Sequence, residues 1–95
     1  MNWLWDENKN TSNKQKHGIS FETAQFVFFD PLSVSHLDTY PHEERWHTIG
    51  KIGNVHVLVV HSFSDENNNK EQAGRIISAR KATKQERKIY EEKDF

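Results

Sequence analysis

The segment from Val55 to Ser62, VHVLVVHS, limits the possible folds of this chain more than any other stretch. Successive side chains of a β-strand point to opposite faces, and this segment is apolar on both of them. One face carries Val55, Val57 and Val59, and the other carries Leu58 and Val60. A strand that is apolar on both faces must be covered on both, so we place this strand at the centre of a sheet.

Four other segments have the composition of strands. They are Met1–Trp5, Ser33–Asp38, Arg45–Ile52 and Arg75–Arg80. We expect them to form a small antiparallel sheet with the central strand, the first of them at an edge. The predicted connections are the polar loop Thr39–Glu44, the turn dipeptide Gly53-Asn54 and the polar hairpin tip Ser64–Gly74.

Capping signals predict three helices. Asp6 begins a segment that runs to His17 and closes at Gly18, the usual left-handed terminal residue. This segment contains no aliphatic or aromatic side chain. It is therefore frayed, clamped by Trp3 and Trp5, or pressed against a partner.

The second predicted helix is the core helix Phe21–Phe29, which Ser20 caps and Asp30-Pro31 ends. Its buried face is predicted to consist of Phe21, Ala24, Val27 and Phe28. The third helix begins at Lys84, because Thr83 and Glu86 fit a capping box. The chain is thus expected to be an α+β protein, with an antiparallel sheet, two N-terminal helices and one C-terminal helix.

Length and composition limit the class of protein. Ninety-five residues make one domain, residues 1–95, and three Trp, six Phe and two Tyr supply burial that a disordered chain would lack. Cysteine is absent, and no apolar run approaches the ~18 residues that a membrane span needs. The N-terminus also lacks the pattern of a signal peptide. We expect a soluble, cytoplasmic protein with no membrane partner.

The C-terminal stretch is locally basic in a chain of net charge -1. Its cations are Arg75, Arg80, Lys81, Lys84, Arg87, Lys88 and Lys93, against Glu86, Glu91 and Glu92. Because the pI is near 6.6, any site for a polyanion has to be a patch. An ordinary solvated helix with charge pairs explains the same residues equally well.

The histidines do not have the spacing of metal ligands, and we predict neither a metal nor another cofactor. His61 is different, because it ends the central strand, where a scaffold can present a proton-carrying imidazole. In the segment Glu43-Glu44-Arg45-Trp46-His47, alternation puts Glu44 and Trp46 on one face and Arg45 and His47 on the other. This segment is either a plain edge strand or a site with a general base and a ring for base stacking.

Together, five stretches in this order resemble the BrnT family of ribonuclease toxins. They are WDENKN, NKQKHGISFETAQFVFFDP, EERWHTIG, VLVVH and RIISARKATKQERKIYE. The resemblance runs from Trp5 to about Glu91. It implies a RelE-like toxin fold, metal-independent RNA cleavage that arrests translation, and a ribbon-helix-helix antitoxin similar to BrnA. Operator DNA would then be bound only through the antitoxin complex.

Metal-free cleavage requires a base for the 2′-hydroxyl, cations for the phosphorane and an acid for the 5′-oxygen. The predicted catalytic residues are Arg80, Arg75, His61 and Glu44. The predicted RNA-binding residues are Lys81, Lys84, Arg87, Lys88, Arg45 and Trp46. Regular alternation sends Arg75 and Arg80 to opposite faces, so we expect only Arg80 to touch the scissile phosphate.

The chain departs from the family after His61, where Ser62-Phe63-Ser64 replaces a Thr and a basic residue. Either the remaining arginines suffice, or activity is weakened, or Lys70 substitutes. The alternative function is therefore a catalytically inert toxin homologue that acts as an antitoxin-binding co-repressor. A free-standing nucleic-acid binder is a third possibility, against which the near-neutral charge argues.

Overall fold

A computed structural model describes residues 2–39, 44–63 and 72–93. The elements are β1 (Asn2–Leu4), α1 (Glu7–His17), α2 (Phe21–Ala24), a 3₁₀ helix (Gln25–Phe29), β2 (Val34–Thr39), β3 (Glu44–Ile52), β4 (Val55–His61), β5 (Gln72–Lys81) and α3 (Lys84–Glu92). The strands form one sheet in the order β1-β5-β4-β3-β2, so the architecture is α+β and β4 is central, as predicted. Most of the predicted loop after Thr39, and the predicted tip from Ser64 to Glu71 with Lys70, lie outside the described residues.

The sheet is mixed, and the prediction of a purely antiparallel sheet is wrong for β1. Strands β2 to β5 pair antiparallel with their neighbours, whereas β1 lies parallel to β5. A parallel pair needs a long crossover between its strands, and nearly the whole chain separates these two. A three-residue strand carries no alternation from which the direction of its partner could be inferred.

The two faces of the sheet are covered differently. The α1 face carries Val57 and Val59 and packs against α1, α2 and the 3₁₀ helix, which bury Phe21, Ala24 and Val27 completely. The opposite face, the α3 face, carries the second core cluster. Its members are Ile49, Leu58 and Tyr90, with Val34, Val60, Ala82 and Ile89 packed around them. None of the helices in the described ranges is long and apolar enough to cross a membrane.

The predicted core helix Phe21–Phe29 is only partly α-helical. It makes one α-turn to Ala24 and continues as a 3₁₀ helix to Phe29. A 3₁₀ helix has three residues per turn, so Val27 lies in line with Ala24, and both are buried against the sheet together with Phe21 of the preceding α-turn. The packing is close at Gly50 in β3, where a Cβ atom would lie 2.7 Å from Cγ1 of Val27.

Two asparagines attach the polar helix α1 to the core. Asn13 donates hydrogen bonds to the carbonyl oxygens of Ala79 (2.8 Å) and Ile19 (2.9 Å), and accepts one from the Ala79 N–H (3.2 Å). Asn10 accepts a bond from the Phe21 N–H at 2.8 Å. A side-chain amide has both a donor and an acceptor, so Asn13 pairs with the backbone of β5 as a neighbouring strand would. The helix is therefore held by polar contacts within the chain.

The C-terminal helix α3 begins as predicted. The Thr83 hydroxyl accepts from the Glu86 N–H, and the Glu86 carboxylate accepts from the Thr83 N–H, which completes the capping box. At its other end the Tyr90 hydroxyl donates to Asp30 at 2.7 Å. Burial and this bond to Asp30 raise the pKa of Tyr90 to about 12. The caps predicted at Asp6, Ser20 and Gly18 are also present.

Candidate functional site

A β-bulge in β5 brings Arg75 and Arg80 to the same face of the sheet. Val60 pairs with Ser78, but its neighbour His61 pairs with Ile76, so Ile77 is an extra residue. An extra residue reverses the alternation on one side of the bulge. The prediction that the two arginines point in opposite directions is therefore wrong. The pairing with β1 also places Arg75 on the α3 face, because Arg75 is opposite Leu4, which lies on that face.

The strand begins earlier than predicted, at Gln72 and not at Arg75. Gly74, expected in the hairpin tip, is a strand residue with a φ of 150°. A Cβ atom there would lie 2.0 Å from the Ser62 carbonyl oxygen. Only glycine lets β5 approach the end of β4 this closely, and the approach fixes the position of Arg75.

The register arranges the α3 face in rows across the strands. The row Val34–Ile49–Leu58–Arg80 is covered by α3. Beyond α3 come the row His36–His47–Val60–Ser78 and the row Asp38–Arg45–Ser62–Arg75. We call these last two the open rows, because their residues are exposed or half-buried. Neighbouring strands are about 4.8 Å apart, so the backbones of Arg45 and Arg75 lie about 10 Å apart, on either side of β4.

A contact between a histidine and a carboxylate lies within the open rows. Nε2 of His47 is 3.3 Å from Oδ2 of Asp38, and their side chains are 31% and 40% exposed. From the sequence, His47 was predicted to lie on the same face as Arg45, in a segment that could supply a general base, but neither His47 nor Asp38 was among the predicted catalytic residues. Matching the rows of β2 and β3 across their connecting loop would have shown that the two residues are neighbours.

Arg80 is engaged in an ion pair with the first turn of α3. Its guanidinium donates to both carboxylate oxygens of Glu86, at 2.7 and 3.0 Å. This bond raises the pKa of Arg80, and it lowers the pKa of Glu86. Because Glu86 also closes the capping box, Arg80 holds the strand-to-helix turn together. The charge of Arg80 is balanced there, whereas Arg75 is exposed at the edge of the open rows.

His61, predicted to be a proton carrier presented at a strand end, lies buried on the α1 face. Its side chain has no exposed surface, and rings of Trp3, Phe28 and Phe63 surround it. Burial is the main cause that lowers its pKa to about 4. The ring is therefore neutral at pH 7.

The hydrogen bonds of His61 assign its tautomer. Nδ1–H donates to the Ser62 carbonyl at 3.2 Å, so Nε2 accepts from the Thr48 hydroxyl at 2.6 Å. The hydroxyl of Thr48 accepts in turn from that of Ser35 at 2.8 Å. Both ring nitrogens are thus bonded inside the protein, and neither is left to exchange a proton with a substrate at the open rows.

Glu44 and Trp46 lie on the α1 face, and Arg45 lies on the α3 face, as the alternation predicted. Trp46 is half-buried and meets Phe63 edge to face, with ring centroids 5.2 Å apart. The structure therefore separates Trp46 and Glu44 from the two predicted arginines. Of the predicted catalytic residues, Arg75 and Arg80 lie on the α3 face, whereas Glu44 and His61 lie on the α1 face.

The remaining predicted RNA-binding residues lie on or beside α3. Lys81, Lys84, Arg87 and Lys88 are all exposed. Lys84, Arg87 and Lys88 form a cationic surface along the outer side of α3, whereas the register of Lys81, opposite Val57, puts it on the α1 face. Within the described ranges, no group of three His, Asp, Glu or Cys side chains is arranged to hold a metal ion.

The α3 face offers arginines beside an Asp–His pair, which suits an anionic substrate such as a phosphodiester. Comparison with known proteins points to the same chemistry. No curated protein matches the chain significantly. A family model, described as "Ribonuclease toxin, BrnT, of type II toxin-antitoxin system", matches residues 5–86. This match covers most of the chain and includes β5 and the first turn of α3, and the protein therefore belongs to the BrnT family of type II ribonuclease toxins.

Proposed function

We propose that this protein is an endoribonuclease toxin that cleaves RNA on the open rows of the α3 face without a metal ion. The observation that carries the proposal is the bulge at Ile77, which turns Arg75 to the same exposed surface as Arg45. Two arginines about 10 Å apart can hold one phosphodiester between them. Cleavage of messenger RNA by such a site would arrest translation in the cytoplasm.

Arg75 is the proposed contact to the scissile phosphate. Preorganised cations stabilise the charge that develops on a phosphorane, and they need no reorganisation during the reaction. The proposed role of Arg80 is to position α3, because its guanidinium is bonded to Glu86. The exposed cations of α3 would then bind the RNA backbone on either side of the cleaved bond.

The type II family implies a protein antitoxin. We propose that it is a BrnA-like ribbon-helix-helix protein and that the toxin reaches operator DNA only within their complex. We also propose that the fold is RelE-like. The antiparallel core β2–β5 with a helix on each face is compatible with that fold. Co-expression with a ribbon-helix-helix antitoxin encoded beside the toxin should restore growth of arrested cells, and persistent arrest would contradict the proposed partner.

The test is cleavage of a labelled single-stranded RNA by purified protein in EDTA. We expect fragments that end in a 2′,3′-cyclic phosphate, and Arg75→Ala should slow cleavage by about 100-fold. Lys16→Ala is the matched control, because Lys16 is an exposed cation in the last turn of α1, on the other side of the sheet.

Each of three outcomes would contradict a different part of the proposal. Loss of cleavage in EDTA with recovery on adding Mg²⁺ would refute metal independence. Equal activity of Arg75→Ala and the wild type would refute the assigned site. Failure of the folded wild type to cleave RNA or to arrest growth would refute the enzyme itself.

A second candidate is the inert co-repressor, and two observations favour it. His61 is enclosed by aromatic rings, and Arg80 is paired with Glu86, so two of the four predicted catalytic residues are occupied within the protein. This candidate predicts no growth arrest on induction without antitoxin. It also predicts that adding the protein tightens binding of the antitoxin to operator DNA.

A further inference from the structure

The pair of Asp38 and His47 lies where a proton-transfer group for the proposed site is needed. His47 is in the middle of the open rows, two residues from Arg45 along β3 and next to Val60 of β4. Its side chain is partly exposed, so a substrate can reach it from solvent. This inference rests on the proposed function. It adds a residue for proton transfer, a role to which that proposal assigns no residue.

The contact with Asp38 determines which nitrogen can act. Nε2 is the ring nitrogen that faces the Asp38 carboxylate, at 3.3 Å, and a carboxylate can accept only from a protonated nitrogen, so we assign the proton of the neutral ring to Nε2. Nδ1 then has the free lone pair of a base. A carboxylate that accepts from one ring nitrogen fixes the tautomer and orientation of the imidazole, and it stabilises the cation formed when the other nitrogen takes a proton.

The other groups around His47 are compatible with this role. From β2 it is faced by Asp38 and by its register partner His36, and from β3 by Arg45. β4 contributes the apolar Val60, and β5 contributes Ser78 in the same row and Arg75 in the next. A phosphodiester lying over Ser62 would have arginines on both sides, and the imidazole of His47 in the adjacent row would be within reach of the ribose 2′-hydroxyl.

We propose that His47 is the general base of RNA cleavage and that Asp38 is the residue that positions it. Nδ1 of His47 takes the proton of the 2′-hydroxyl, and the 2′-oxygen uses the freed electron pair to form a bond to phosphorus. The bond from phosphorus to the 5′-oxygen breaks, and the leaving oxygen takes a proton from water. The hydroxide that remains removes the proton from His47, so the products are a 2′,3′-cyclic phosphate and a 5′-hydroxyl.

No other described histidine combines these features. His61 is enclosed on the other face, and its two nitrogens are bonded to Thr48 and Ser62. His56 packs edge to face against Tyr90 beneath α3, with centroids 5.1 Å apart. His17 ends α1 on the opposite side of the sheet. His36 lies beside His47, which makes it the closest competitor for the role.

The experiment compares single-turnover cleavage of a short single-stranded RNA by the full chain between pH 5 and 9. We expect His47→Ala to lose about 100-fold or more in rate, which is the usual contribution of a general base. Added imidazole should restore part of that activity, and the acidic limb of the wild-type pH profile should be absent from the variant. Asp38→Asn should lose about 10-fold and shift that limb.

His17→Ala and His36→Ala are the controls, and both should retain the acidic limb. The inference is overturned if His47→Ala cleaves RNA as fast as the wild type while Arg75→Ala is slowed. The proposed function would then stand. It is also overturned if the loss in His47→Ala is not rescued by imidazole and the acidic limb persists, because His47 would then be structural. If the wild type itself does not cleave RNA, the inference and the proposed function fail together.

Discussion

Asn13 and Ala79 are joined by two hydrogen bonds across 66 residues of sequence, one in each direction. Each bond satisfies a backbone group of β5 on the side away from β4, where no described strand lies beside Ala79, because β1 pairs only with residues up to Arg75. A buried peptide group without a partner is strongly unfavourable. The polar helix α1 is therefore part of the sheet's hydrogen bonding, and its amphipathicity matters little.

Replacing Asn13 by alanine should lower the free energy of unfolding by about 2 to 3 kcal/mol, because the N–H and carbonyl of Ala79 would be left buried and unpaired. Urea denaturation measures the change. Ser12→Ala is the control, since Ser12 is exposed on the same helix and should change stability by less than about 0.5 kcal/mol. Equal stability of Asn13→Ala and Ser12→Ala would show that Asn13 does not attach the helix.

The pKa of His61 makes stability depend on pH in a defined window. Its pKa falls from the ordinary 6.5 to about 4 on folding, chiefly through burial, so the unfolded chain binds a proton more readily. Stability is therefore fully present above about pH 6.5 and decreases as the pH falls towards 4. Between pH 7.5 and 5 the loss should be about 2 kcal/mol.

Urea denaturation of the wild type and of His61→Leu at pH 7.5, 6 and 5 tests this expectation. The free energy of unfolding of His61→Leu should depend less steeply on pH than that of the wild type, whatever its absolute value. His17→Ala should retain the wild-type slope. The carboxylates with lowered pKa, Asp30 and Glu86 among them, lose their contribution only below this window. Parallel pH profiles for the wild type and His61→Leu would exclude His61 as the source.

Arg80 and Glu86 should be coupled in stability. The bond is bidentate, but the Arg80 side chain is 39% exposed, so solvent screens the pair and we expect a coupling free energy of only about 1 kcal/mol. A double-mutant cycle with Arg80→Ala and Glu86→Ala, followed by urea denaturation, measures it. Arg87 and Glu91, which are exposed and four residues apart on α3, provide a second cycle that should give about 0.3 kcal/mol. Equal values for both cycles would remove the structural role of Arg80.

Local features of the fold were predictable from the sequence. The caps at Asp6, Ser20 and Thr83 involve groups within three residues, so adjacent side chains suffice to determine them. The central position of β4 followed from its apolar residues on both faces, which no other segment has. By contrast, the bond of Asn13 to Ala79 joins distant parts of the chain, and a polar helix without an apolar stripe gives no sign of its partner.

The arrangement of the site depends on the extra residue in β5, which the alternation of polar and apolar side chains does not reveal. Alternation in β3 correctly separated Arg45 from Trp46, because that strand is regular. In β5 the same rule failed at Ile77, because a bulge changes which residues share a face without changing composition. His61 was misplaced for a related reason. The end of a strand is open to solvent only if nothing covers it, and here Trp3 and Phe28 arrive from remote segments.

The last prediction concerns the exposed cations of α3, which should bind RNA without taking part in the chemistry. Contacts to phosphates release counterions, and each contact to a single strand contributes about 0.7 to the slope of log affinity against log salt. Lys84→Gln with Lys88→Gln should therefore reduce that slope by about 1 to 1.5. Fluorescence anisotropy with a labelled 2′-O-methyl RNA, which cannot be cleaved, measures the slope.

The rate of cleavage at saturating RNA should remain within about threefold of wild type, because neither lysine lies in the open rows. Lys9→Gln with Lys16→Gln removes the same charge from α1, on the opposite side of the sheet, and should leave the slope nearly unchanged. If both pairs reduced the slope equally, RNA would be responding to the net charge of the protein and not to a surface formed by α3.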